Sequence, residues 1–266
     1  MVQRLTTRVV EKPWGRYGIA PQFDVDAKRK VGEIWFEAPS GRPLDVLAKY
    51  LFTSERLSIQ VHPDEATAHA RGLAHGKDEC WIILDVAPGA ELGIGTIEPI
   101  ERDALIDAAA NGSIERLIDW RPARRGQFIY NPAGTVHALG PGLTVMEVQQ
   151  ATDITYRLFD YGRPRQLHLE EGRAVVNARP HHHPADATID ADASRILVDG
   201  RYFGVAWCAG EALALPPGAH DVQLLPIDAD VAIGERIARP GECWLLDDAT
   251  DLSSAGSFAL AWTSGG

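Results

Sequence analysis

Hydrophobic and polar residues alternate in short runs along this chain, and the clearest run is 57–62, Leu57-Ser58-Ile59-Gln60-Val61-His62. On a β-strand successive side chains point to opposite faces, so Ser58, Gln60 and His62 share one face while Leu57, Ile59 and Val61 share the other. The segments 44–51, 80–86, 127–130 and 143–150 read as further short strands bounded by Gly, Pro and Asp turns. In 143–150 the alternation sets Thr144, Met146, Val148 and Gln150 against Leu143, Val145, Glu147 and Gln149. Helical stretches fall between the strands. A short one covers 64–73, an Ala-rich one covers 101–110 and stops at Asn111-Gly112, and Ser113 is placed to cap another over 114–120. Many short strands separated by turn signals imply a mainly β sandwich or jelly-roll barrel with a few short helices.

After Arg173 the pattern changes. The stretch 177–193 is rich in His, Pro, Ala and Asp and reads as a linker, and strand-like runs return at 195–205, 213–215, 222–227 and 243–246. The expected organisation is therefore a first unit over 1–176, a linker over 177–193 and a smaller β unit over 194–266. His181-His182-His183 lies in the linker beside prolines, where consecutive side chains do not converge on one centre, so it reads as solvated loop. His69 and His75 fall on or after a short polar helix and read as ordinary exposed histidines.

A face carrying Ser58, Gln60 and His62 would cost several kcal/mol to bury unless something satisfies it, and a bound metal is the simplest candidate. Two other segments can complete such a site. Lys77-Asp78-Glu79-Cys80-Trp81 opens a strand with a carboxylate, and Asn131-Pro132-Ala133-Gly134-Thr135-Val136-His137 is a turn that ends in an imidazole. Gln60, His62, Glu79 and His137 together suit one catalytic divalent ion with an open position, Zn(II) foremost, and Fe(II), Mn(II) or Co(II) also accept the set. A structural zinc site would show paired cysteines, whereas Cys80, Cys208 and Cys243 are far apart.

With 26 basic and 37 acidic residues the formal charge is −11, which disfavours nucleic acid or an anionic membrane as partner. A phosphorylated ligand would need a local basic cluster. The first residues lack the apolar core of a signal peptide, and no run of about 18 apolar residues occurs, so a cytoplasmic location is expected. Unpaired cysteines fit a reducing compartment.

Lys12-Pro13-Trp14-Gly15, Gly32-Glu33-Ile34-Trp35, the stretches 57–64, 76–84 and 132–137, and Met146-Glu147-Val148-Gln149-Gln150 through Arg157 follow one another in an order that resembles the motifs of type I mannose-6-phosphate isomerases, which are zinc-dependent cupins. The resemblance runs over about residues 10–175. It implies a cupin jelly-roll barrel in a compact form and a degenerate cupin-like C-terminal unit with a structural role. It further implies a metal-dependent aldose-ketose isomerase that interconverts mannose 6-phosphate and fructose 6-phosphate through an enediol or enediolate. Arg157 matches the family's active-site arginine, and Lys77 and Glu147 line the catalytic cavity, with Gln149 beside Glu147. Ser58 and Lys49 are candidates for substrate oxygens and phosphate, and Trp14, Glu33 and Trp35 for closing the pocket. Two positions depart from the family pattern. Leu139 stands where some members have a tyrosine, and Asp160-Tyr161-Gly162-Arg163 replaces a region that supplies a phosphate-binding lysine, which makes Arg163 a substitute candidate. The alternatives are a metal-containing sugar-binding cupin without catalysis and an isomerase for a different sugar or sugar phosphate.

Overall fold

The computed structural model describes residues 2–39, 41–247 and 251–265, and their strands form three antiparallel sheets. A seven-stranded sheet runs from edge to edge through Ala187–Thr188, Gln127–Asn131, Glu79–Val86, Leu143–Gln150, Val46–Phe52, Val31–Glu37 and Thr6–Arg16. Opposite it lies a five-stranded sheet of Tyr156–Phe159, Ile59–Val61, His137–Leu139, Glu91–Thr96 and Ile118–Pro122. Leu51, Trp81 and Val145 from the first sheet meet Leu92, Ile94 and Leu139 from the second in an apolar layer between them. This is a cupin jelly-roll barrel, and the fold is mainly β.

Leu143–Gln150, at the middle of the larger sheet, is buried along its whole length. Its alternation separates two interiors. Leu143 and Val145 face the barrel with Glu147, whereas Met146 and Val148 join a second core behind the sheet. Across that second core stands an eight-stranded sheet built mostly from the C-terminal part, whose longest strand is Leu252–Thr263. Phe203, Val205, Leu225 and Ala259 from it pack with Ile34, Tyr50, Phe52 and Ile82. The first strand of the chain, Val2–Arg4, pairs with Trp244–Leu246 in this sheet, and the Gln223 side-chain amide donates to the Val46 carbonyl at 2.8 Å. On the outer face of the five-stranded sheet, the helices Arg102–Asn111 and Leu169–Val175 cover Ile59, Val61 and Leu158 with Leu105 and Ile106.

The structure departs from the sequence expectation in several places. Residues 114–120 are not a helix. Gly112, at φ 82°, stops the preceding helix in the left-handed region, a 3-10 turn covers Ser113–Arg116, and Ile118–Pro122 is a strand paired with Glu91–Thr96. Sheet pairing there outweighs local helix preference. The run 195–205 is two antiparallel strands, Arg195–Asp199 and Phe203–Glu211, and 213–215 lies in a loop. The histidine run is only partly solvated. His181 is buried and donates to Asp186 Oδ2 at 2.9 Å, and His183 stacks on Tyr130 with ring centroids 4.5 Å apart. Among the described residues no helix is long and apolar enough to cross a membrane.

Candidate active site

Glu79 and His137 each open a strand and His62 directly follows the strand Ile59–Val61, and the three meet inside the barrel, each buried, with one ligand atom apiece lying within 4.8 Å of the others. Glu79 Oε1 is 3.3 Å from His137 Nε2, and Oε2 is 3.4 Å from His62 Nε2. Each imidazole is oriented from behind. His62 Nδ1 is 2.8 Å from the Ile154 carbonyl and His137 Nδ1 is 2.9 Å from the Thr135 carbonyl. A carbonyl can only accept, so Nδ1 carries the proton and the Nε2 lone pairs face the carboxylate.

Glu79 is held by its cross-strand neighbour Asn131, whose amide donates to Oε1 at 2.8 Å. Glu79 Oε2 is buried and accepts no hydrogen bond, although the Lys77 ammonium is 2.9 Å away as an ion-pair partner. Burial alone would raise this carboxyl, but the charge around it, the Lys77 ammonium foremost, outweighs burial and holds it well below the ordinary range. Burial and then Lys77 drive His62 down to about 3, and burial also lowers His137. Two neutral imidazoles whose Nε2 lone pairs face one buried, ionised carboxylate form a donor set that fits a divalent cation.

Gln60 stands directly across the ladder from both His137 and Arg157. Its side-chain nitrogen donates to His137 Nε2 at 3.2 Å, and its oxygen accepts from Ser58 Oγ at 3.0 Å. Ligation through Oε1 requires the amide to turn over, an exchange of two groups of nearly equal size.

A row of alternating charges leads away from Glu79 across the larger sheet. Lys77 Nζ lies 3.8 Å from Glu147 Oε1, which pairs with Lys49 Nζ at 2.8 Å. Lys49 is 3.9 Å from Glu33, and Lys12 is 3.6 Å from the other Glu33 oxygen. The ladder register produces this row, because Lys49 lies opposite both Trp35 and Glu147, and Glu147 opposite Trp81. The two indoles complete it, Trp35 donating to Glu33 and Trp81 to Glu147. Burial would depress Lys49, yet Glu147 and Glu33 keep it firmly cationic. Burial, and then Glu79, raise the Glu147 carboxyl against the pull of Lys49 and Lys77.

Lys12, Glu33, Lys49, Lys77, Glu147 and Trp81 line one pocket, together with Trp14, Leu139, Asp153, Thr155, Arg157 and Arg165, whereas Trp35 stays outside the lining. Among the described residues the Arg157 guanidinium makes no hydrogen bond or ion pair, and burial together with neighbouring Arg165 lowers its pKa. Of the residues singled out from sequence, Gln60, Glu79, His137, Ser58, Lys49, Lys77, Glu147, Arg157, Trp14 and Glu33 all line this pocket, and His62 lies just behind it. Arg163 does not. It is tied to Asp160, Glu55 and the Arg56 carbonyl, because the turn at Tyr161-Gly162 carries it away from the opening. Gln149 also stays out of the lining, its amide donating to the Thr152 carbonyl at 2.5 Å. Sequence reasoning missed Lys12, Trp81 and Arg165. Trp81 is in phase with Glu79 on its strand and Lys12 belongs to the Lys-Pro-Trp-Gly motif, so both left a signal; Arg165 left none. Among the described residues, a larger cavity of about 810 Å³ beside Leu213, Leu215 and Val222 holds no comparable cluster of ligand side chains.

No protein-family model matches the chain. It is 35% identical over 171 residues to a mannose-6-phosphate isomerase of Streptococcus mutans, covering 60% of this chain and 53% of that protein. It is 33% identical over 211 residues to a probable mannose-6-phosphate isomerase of Bacillus subtilis, covering 71% of this chain and 65% of that protein. The matched stretch thus spans between about half and just under two-thirds of these relatives. Among solved structures, the mannose 6-phosphate isomerase from Bacillus subtilis has a TM-score of 0.79 at 25% identity, covering 98% of this chain and 99% of that one. A zinc-bound mannose 6-phosphate isomerase has a TM-score of 0.71 at 15% identity, covering 99% of both chains, and shares the fold.

Proposed function

We propose that this chain, a relative of the mannose-6-phosphate isomerases in sequence and fold, is a metal-dependent aldose-ketose isomerase that interconverts mannose 6-phosphate and fructose 6-phosphate through an enediol or enediolate. The observation that carries the reading is the convergence of His62, Glu79 and His137 beside a pocket that also holds Lys77, Glu147 and Arg157. Imidazole and carboxylate donors suit zinc, the ion carried by a relative of the same fold, with the Gln60 amide oxygen as a further donor. When bound, the ion supplies Lewis-acid stabilisation of negative charge on the sugar oxygens.

The chain's own residues supply the remaining chemistry. A group must take the proton from C2 and return it at C1, and Glu147, buried with a raised pKa, is suited to that relay. Lys49 and Trp81 hold the Glu147 carboxylate in place. The Lys77 ammonium stands beside it and donates to the sugar oxygen that gains charge. Arg157, with no partner of its own among the described residues, offers a two-pronged donor to the enediolate or the phosphate. Lys12 and Arg165 add positive charge along the same wall, although Arg165 shares its charge with Asp160. Ser58 orients Gln60, while Trp14 and Leu139 exclude water.

In this reading the chemistry belongs to residues 1–176, joined by 177–193 to a structural unit over 194–266. Three buried free thiols, Cys80, Cys208 and Cys243, support a cytoplasmic setting. The test is a coupled assay on mannose 6-phosphate with His137→Ala as control. Wild type turns over, and the variant loses activity by at least about a hundredfold while remaining folded. Comparing mannose 6-phosphate with free mannose tests the cationic wall, and equal turnover of both would remove its assignment to phosphate.

A further inference from the structure

Asp78, between Lys77 and Glu79, faces away from the pocket and bridges two other elements. Its Oδ2 accepts from the Tyr130 hydroxyl at 2.7 Å, and its Oδ1 accepts from the Ala133 N–H at 2.9 Å. Ala133 belongs to the turn that leads into His137. One carboxylate therefore ties the strand that begins at Glu79 to the turn that delivers the second imidazole. Tyr130 is itself fixed on three sides. Its ring stacks on His183 at 4.5 Å and lies 5.8 Å from Phe203 of the eight-stranded sheet, and its N–H donates to Asp186 Oδ1 at 3.0 Å. Asp186 Oδ2 in turn accepts from buried His181. Burial and Asp78 push the Tyr130 phenol far above its ordinary range, so it stays a donor.

We infer that Tyr130 and Asp78, clamped by the 181–186 segment, are positioning residues that set the separation of Glu79 and His137. The inference rests on the proposed metal-dependent reading and gives the histidine-rich segment a part in it. Neither residue touches the pocket. Both act on the ligands through the backbone, Asp78 as the chain neighbour of Glu79 and as acceptor for the turn that leads into His137, and loss of an outer contact that fixes a metal ligand typically costs 10–100-fold in metal affinity or activity.

The experiment measures zinc affinity by competition with a chromophoric chelator, and melting temperature with and without chelator, for wild type, Tyr130→Phe, Asp78→Ala, His183→Ala and the Tyr130→Phe/Asp78→Ala double variant. Tyr130→Phe and Asp78→Ala each weaken zinc by about tenfold or more. The double variant is no weaker than Asp78→Ala alone, because the two act as one unit, and His183→Ala shows a smaller loss in the same direction. Zinc affinity in Tyr130→Phe within about twofold of wild type, with both melting temperatures lowered equally, would assign the pair a merely structural role and overturn the inference. A wild-type protein that binds no divalent ion would overturn the metal-dependent reading together with it, and this outcome is distinguishable because it appears before any variant is compared.

Discussion

Glu79 and Glu147 are buried carboxylates on adjacent strands of one barrel face, and their surroundings push them in opposite directions. Glu79, among Lys77 and two imidazoles, stays ionised, whereas burial and the charge of Glu79 favour a proton on Glu147. Such divergence separates a ligand from a proton carrier. The consequence for pH has a definite sign. A relay that begins by taking a proton needs Glu147 ionised, and its raised pKa means that this form is lost at a higher pH than for an ordinary glutamate as pH falls. The acid limb of a kcat/KM profile for mannose 6-phosphate should therefore be shifted upward from where an ordinary glutamate would place it. Glu147→Gln should lower kcat by about 10²–10⁴-fold with metal content unchanged; a variant with full turnover would move the relay elsewhere. At this scale the sequence was readable where two side chains share a strand. Ser58 and Gln60 follow from period-two alternation, and so does the opposite placing of Cys80, which joins the core behind the sheet. Arg165 was not, because its approach depends on turns between segments far apart in the chain.

The turn before His137 shows what local structure contributes. Gly134 has φ 85°, its N–H donates to the His62 carbonyl at 2.9 Å, and a Cβ built on it would stand 3.0 Å from the Val175 carbonyl oxygen. Gly76 is under a similar constraint, since a Cβ there would lie 2.5 Å from the Asp64 backbone just after His62-Pro63. Gly134→Ala should cost roughly 1–2 kcal/mol from the left-handed conformation alone, measured by denaturant melts, and should also weaken zinc binding because the strain falls on the His137 turn. Unchanged stability and unchanged affinity would show that the turn tolerates displacement. Both turns were announced by their Gly and Pro residues. The strand Ile118–Pro122 was not, because the alternation of Ile118 and Trp120 is too short to outweigh a helix signal until Glu91–Thr96 lies beside it.

Across the whole molecule, the sheet that carries Lys49, Glu79 and Glu147 has a second face, and that face is covered by the C-terminal sheet. Ile34, Tyr50 and Ile82 share one core with Phe203, Leu225 and Ala261. Strand Val2–Arg4 and the Gln223 bond to Val46 cross the same boundary. The two β units should therefore unfold together, as one calorimetric transition, and two well-separated transitions would contradict the shared core. Phe203→Ala should cost about 3–5 kcal/mol of global stability. Strand runs after residue 194 were visible in the sequence, but this shared core was not, since alternation marks which side chains are buried and not which sheet covers them.

On the proposed reading, His62, Glu79 and His137 hold one divalent ion on which isomerisation depends. Metal analysis and mannose 6-phosphate turnover on a single purified sample, before chelation, after chelation and after zinc is restored, decide it. About one ion per chain is expected, with turnover lost when the ion is removed and regained with zinc. Full turnover in the chelated, metal-free protein would contradict it.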